Sequence, residues 1–433
     1  MSLVIKKLVT INQRTKKLIF NVVGGLLSRI VNLGSTLVIV PLAIKSLGQH
    51  EYGIFAIILA ASVVFNYSDF GLGLSVVSKI AAIKDEESLK EAHYAISNVW
   101  YFLLRLSLII LIFGVLIIAV IATTVTGAQE FAWEAWLALI FCISIGLAPG
   151  LTQRIFFGLQ RNLEANLWNT AGRMSSVFGV YLAYYFNASI VWFIVSMIGL
   201  PAIVGWLSTI SLWKWTSHLK PNKSKFSWSG LSSYMSHGFQ FLFLQTGVFF
   251  ETGMDNILVG FVQGAEYVTN YDLLTRLFIY VPALISMLAF PLWPAISQAK
   301  ASGDHEWVQR IFKISFISIF LTSLISSSIF LYFHASIINL WVGVFYKPNY
   351  GLALALASFA VLTSLGILQA MLMSGLGLIS VQVRILAVFL LVLIPGKFLA
   401  LKFSGQTLMV FVLVFLYLIK ILILWFMIRV KKV

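Results

Sequence analysis

The sequence predicts an all-α integral membrane protein that crosses the bilayer twelve times, and three observations carry that prediction. Twelve apolar stretches of about twenty residues or more fill nearly all of the 433-residue chain. A hydrocarbon core about 30 Å thick needs ~20 residues of helix to cross it. The composition is 60% hydrophobic and 10% charged, too little charge to coat a soluble protein of this size. Runs such as 106–122 are continuously apolar rather than alternating, which excludes an outer-membrane barrel. Helices remain, because lipid offers backbone amides no partner.

The first span, 18–44, follows a tail bearing Lys6, Lys7, Arg14, Lys16 and Lys17. No small-residue cleavage site follows it, so it is expected to stay as its own insertion signal. The second, 53–78, ends before the polar "KDEES" of 84–88. Spans three to six are read at 95–124, 133–157, 167–186 and 190–213, the last two separated by a very short loop. Spans seven to twelve follow at 231–260, 271–298, 308–334, 351–374, 381–399 and 407–428.

Alternating loops test this order. Lys and Arg number 21 on the side of the N-terminal tail and 4 (Lys45, Lys347, Lys397, Lys402) on the other. Such a bias places both termini in the cytoplasm and requires an even number of spans. It also accounts for most of the net charge of +15, which in a soluble chain would have pointed to nucleic acid; no nucleic-acid partner is expected. The single cysteine, Cys142, lies within a span, so no intrachain disulfide is expected.

The longest polar linker, 214–230, carries Lys214, Lys220, Lys223 and Lys225 and divides the chain into six spans (1–213) and six (231–433). A weak echo accompanies the division. "GQHEYGIF" at 48–55 follows the first span and "QGAEYVTNY" at 263–271 the seventh; "KDEES" and "KASGDHE" (300–306) follow the second and eighth. Halves of six spans keep their orientation, so they would be parallel repeats. Pro41, Pro149, Pro201, Pro282, Pro291 and Pro294 interrupt spans; each removes a helical hydrogen bond and favours a bend, although prolines are also simply common in membrane helices.

Charges inside spans are costly and default to function. Arg29 lies eleven residues into its span, about 16 Å of helix, and Asn32 and Thr36 continue one polar stripe. The arginine suits a bidentate phosphate contact or a structural pair with a neighbouring aspartate. Arg105 is ten residues into span three and is a further cavity candidate; Arg173 and Lys420 are expected to snorkel. Asp69, within "FNYSDFGLGL", is either a partner for Arg29 or a protonatable coupling group. Asp272 and Arg276 have the i, i+4 spacing of an intrahelical pair, with release of Arg276 to a ligand as the functional alternative. Glu251 and Asp255 form an acidic pair suited to proton or cation binding, or else are solvated helix-end charges. His237, Gln240, Gln245 and Thr252 make span seven unusually polar.

No metal-ligand spacing is present and no GxxxxGK[ST] phosphate loop occurs. The longest outer loop, about 335–350, offers no acid/base pair, which disfavours a membrane polymerase or glycosyltransferase. No cofactor is expected beyond a driving proton or sodium gradient.

"VPLAIKSLGQHEYGIFAI" followed by "NYSDFGLGLSVVSKIA" resembles the opening helices of bacterial O-antigen repeat-unit flippases of the multidrug/oligosaccharidyl-lipid/polysaccharide (MOP) exporter superfamily. "DNILVGFVQGAEYVTNYDLLTRL" and "PLWPAISQAKASGD" extend the resemblance into the second half. It implies a V-shaped pair of six-helix bundles around a central cavity. The implied cargo is an undecaprenyl-pyrophosphate-linked oligosaccharide, carried across the bacterial inner membrane with its prenyl tail in membrane lipid. Polysaccharide polymerase and chain-length proteins are the implied partners. Related flippases use cationic cavity residues on their first and eighth helices, and Arg29 and Arg276 hold comparable positions. Sister multidrug exporters use acidic cavity residues, so Asp69, Asp255 and Asp272 keep a cation-coupled drug exporter open.

Overall fold

The computed structural model describes residues 2–65, 71–124, 132–228, 231, 242–244, 246–343 and 346–430, with side chains over the same residues apart from 2–23, 26–27 and 428–430. Among them there is no strand; the architecture is all-helical. Among the described residues, eight helical stretches are long and apolar enough to cross a membrane, including Glu86–Thr124, Trp133–Gly158 and Tyr350–Gly375. Glu86–Thr124 shows why hydrocarbon is their solvent. Leu108, Ile109, Ile112, Phe113, Leu116, Ile117 and Val120 are all exposed, an uncovered apolar surface that water would not tolerate. The chain is a multi-pass membrane protein.

Two of the stretches hold more than one straight helix. Ser2–Phe65 is broken at Gly48 (φ 75°, ψ 179°) and Ile379–Val430 at Gly405 (φ 79°, ψ −169°). This backbone region is essentially open only to glycine, so a single residue redirects the chain where the sequence reading leaves a loop of eight or so. Pro41 and Pro395 sit within helical backbone in the same two stretches; the breaks fall at the glycines.

The chain divides into two compact units, Met1–Leu47 with Phe65–Phe239, and Gly48–Val64 with Gln240–Val433. The first is built around Leu72, Val76, Ile96, Trp100, Leu151 and Ile155. Polar ties supplement that core: Thr152 and Thr209 share a 2.7 Å hydrogen bond, and the Trp206 indole donates to the Ile145 carbonyl at 3.0 Å. In the second, Ile296, Val308, Leu372, Met373, Val381 and Leu424 form a core cluster.

Each unit contains one of the two echoed polar loops, and each loop ends in an aspartate that caps the next helix. Asp85 accepts from the Ser88 N–H at 2.8 Å, and Asp304 from the Trp307 N–H at 3.0 Å. A cap of this kind contributes ~1 kcal/mol. The Ser88 bonds also hold the exposed Asp85 carboxyl below its ordinary range.

Within the second unit, the limb after Gly48 lies tightly against Ala265–Ala289. A Cβ at Gly53 would collide with the Ala265 carbonyl, which is backbone and cannot rotate away. Gly53→Ala is therefore expected to cost about 1–3 kcal/mol and to lower the thermal midpoint of the detergent-purified protein. Gly34→Ala, whose Cβ would meet nothing within 4 Å, is the matched control and is expected to be neutral or slightly stabilising.

Candidate functional site: buried ion pairs in one unit, an arginine face in the other

Asp255 begins the helix Asp255–Gln263, directly after a π-helical turn, Phe249–Gly253, that contains Glu251. The π-turn lengthens the backbone register, with the Met254 N–H reaching the Phe249 carbonyl five residues back. Two lysines from the kinked helix Ile379–Val430 meet these carboxylates. Lys397, 0% exposed, bonds Asp255 Oδ1 at 2.5 Å and donates to the Glu251 carbonyl. The Tyr271 hydroxyl donates to the other Asp255 oxygen at 2.7 Å. Lys420 pairs with the Glu251 carboxylate, and its ammonium lies 3.8 Å from the Tyr417 ring centre and 4.6 Å from that of Phe389.

A second constellation in the same unit centres on Asp272, 5% exposed. Its Oδ2 accepts from Arg276 Nε at 2.5 Å and from the Tyr52 hydroxyl at 2.7 Å; its Oδ1 accepts from Asn256 at 2.9 Å. Arg276 is thus committed to the i, i+4 partner that spacing proposes, and three donors hold the carboxylate.

In the first unit the Arg173 Nε donates to Asn32 Oδ1 at 3.0 Å. Arg29 stands one helical turn before Asn32, on the helix surface. The helices meet closely just before this point, where a Cβ on Gly24 would lie 2.6 Å from Leu163. Arg29, Asn32 and Arg173 therefore define one cationic, hydrogen-bonding face shared by two helices. Arg105 belongs to a different constellation. Its guanidinium stacks 3.9 Å from the Phe226 ring centre and 5.7 Å from that of Trp228, a cation–π arrangement. Both rings lie in the linker, whose backbone is pinned by the Ser227 N–H to Asn98 Oδ1 at 2.7 Å and the Asn222 N–H to Ser97 at 3.0 Å.

Lys397 is therefore no loop residue, and Lys420 does not snorkel: both ammoniums are consumed within the unit. Arg173, too, turns to Asn32. Asp69, His237, Gln240 and Gln245 lie outside the described residues, and no group of three metal-ligating side chains occurs among those described.

The fold is shared with solved structures. It is similar to an inward-facing multidrug-resistance transporter of the MATE family, MOP superfamily (TM-score 0.76, 16% identity, 93% of this chain and 94% of that one). It is also similar to a MOP-superfamily transporter from Pyrococcus furiosus described as having a binding pocket of reversed polarity and a different function (0.68, 14%, 96% and 95%). A third likeness is to a MATE protein in complex with MaD3S (0.66, 16%, 96% and 97%). The chain thus shares its fold with these solved transporters. The chain belongs to the polysaccharide biosynthesis protein family, whose profile matches residues 15–300. Comparison with curated proteins gives no match.

Proposed function

We propose that this protein is a flippase that carries undecaprenyl-pyrophosphate-linked oligosaccharide repeat units across the bacterial inner membrane by alternating access. The observation that carries the reading is the Arg29–Asn32–Arg173 face. Two guanidiniums beside an amide suit an anionic pyrophosphate and an adjoining sugar. The polysaccharide-biosynthesis family supports the cargo class. The Pyrococcus neighbour, described by its pocket of reversed polarity, is a precedent for a different function on this fold.

In this reading the chain spans the membrane twelve times, the stretches broken at Gly48 and Gly405 each supplying two crossings. The sequence halves 1–213 and 231–433 each supply six crossings, joined through the linker 214–230, with both termini cytoplasmic. The prenyl tail stays in lipid, an ion gradient drives the cycle, and polymerase and chain-length proteins receive the product. Multidrug export is the competing reading, favoured by the MATE neighbours. Against it, Glu251, Asp255 and Asp272 each already hold a lysine or arginine of this chain.

The test is the leaflet on which lipid-linked repeat units reside in cells lacking the protein. Cytoplasmic accumulation, reversed by the wild-type gene, is expected. Normal periplasmic delivery accompanied by drug hypersensitivity would replace this reading with the exporter.

A further inference from the structure

The Glu251–Asp255 pair has the composition of a cation site, and the cations are already supplied. We infer that Lys397 and Lys420 are built-in counter-ions that hold the places a coupling metal ion would take, so that this cluster does not bind sodium. Two carboxylates face two ammoniums, and the side-chain charges cancel. All four side chains are nearly withdrawn from solvent, at 0% and 2% for Lys397 and Asp255, and 11% and 10% for Lys420 and Glu251. A sodium ion added to this set would be an uncompensated buried charge, which low-dielectric surroundings penalise.

Most of the oxygen ligands are also engaged. Hard cations take about six oxygens. Here Lys397 occupies one Asp255 oxygen and the Glu251 carbonyl, Tyr271 donates to the other Asp255 oxygen, and Lys420 takes Glu251 Oε1. A lysine ammonium is a compact point charge with three donors, a close stand-in for a small hydrated cation, and the covalent tether means that it cannot leave. The Lys420 ammonium is additionally held over the Tyr417 and Phe389 rings.

It follows that removing one lysine should create the metal site that the wild type lacks. In Lys397→Met, the Asp255 carboxylate, the Glu251 carbonyl and the Tyr271 hydroxyl would face the vacated space. This inference bears on the ion coupling proposed above, yet it stands on the cluster's geometry alone and is measured without cargo, so either reading can fail separately.

The experiment uses the purified full-length protein in detergent. Radiolabelled sodium binding and the thermal unfolding midpoint are measured in sodium chloride and in choline chloride of equal ionic strength. The wild type is expected to show no saturable sodium binding assignable to this cluster and the same midpoint in both salts. Lys397→Met is expected to acquire saturable sodium binding and a sodium-specific rise of several degrees in its midpoint. Lys420→Met is the second variant, opening the Glu251 side should Lys397→Met not fold. Saturable sodium binding by the wild type that is lost in Asp255→Asn would overturn the inference. So would a folded lysine variant with no response to sodium, since the ammonium would then not be holding a cation's place.

Discussion

Asp255→Ala is expected to be among the most damaging single substitutions in this protein, while the double variant Asp255→Leu/Lys397→Met recovers most of the loss. The single change strands the Lys397 ammonium at 0% exposure with the Glu251 carbonyl as its remaining acceptor among the bonds described. Removing one member of a buried pair costs roughly 3–5 kcal/mol, because the survivor is left charged and poorly solvated. The Tyr271 hydroxyl loses its acceptor at the same time, adding about 1 kcal/mol. Replacing both charges with apolar side chains removes the penalty at its source, an exchange that is often neutral or stabilising. Thermal midpoints of the wild type, Asp255→Leu, Lys397→Met and the double in detergent complete the cycle. A double variant as unstable as the sum of the singles would mean that the two groups are not energetically coupled.

Arg29→Ala is expected to abolish or nearly abolish delivery of repeat units while leaving the amount of folded protein unchanged. Arg29 is on the helix surface, so truncating it leaves no buried cavity. What it removes, on the proposed reading, is the guanidinium that holds phosphate oxygens of the cargo. Hydrogen bonds to charged groups are worth roughly 1.5–3 kcal/mol, which corresponds to a loss of about 10- to 150-fold in affinity for the pyrophosphate. Arg29→Lys keeps the charge without the planar fork and should retain an intermediate activity. Arg173→Ala should act in the same direction, with the added effect of releasing the Asn32 amide from its 3.0 Å contact. Leaflet-resolved accumulation of the lipid-linked oligosaccharide, set against protein level in the membrane, separates lost transport from lost protein. Full export by a normally expressed Arg29→Ala would remove the arginine face from the mechanism.

The parts of this molecule legible in the sequence are those fixed by local spacing. Continuous apolar runs announce the membrane helices, because crossing hydrocarbon imposes both length and composition. The Asp272–Arg276 contact follows from i, i+4 geometry, and Arg29 with Asn32 from one turn of helix. The lysines escaped for a physical reason. Lys397 follows Pro395 and Gly396, a combination that reads as the end of a span, and its partner Asp255 is 142 residues away. Lys420 meets Glu251 across 169 residues. An ammonium so placed gives no local pattern, and it turns an apparent like-charge carboxylate pair into two neutralised ones. The positions of the breaks are hidden similarly. Gly48 and Gly405 look like any other glycines until their backbone angles are known, whereas prolines, which draw the eye, sit within helix at Pro41, Pro149 and Pro282.

The limb Gly48–Val64 has a consequence for how the chain is made. It emerges early from the ribosome, but its packing belongs to the second unit, and Tyr52 waits for Asp272, 220 residues later. At synthesis rates of 5–20 residues per second, that is an interval of roughly 10–40 s. Throughout it, a helix whose Gly53 and Tyr52 lack their packing partners must be kept from misassociating in the insertion machinery or the surrounding lipid. A nascent chain stalled in the linker would present this orphaned segment to membrane proteases, whereas a completed chain would conceal it.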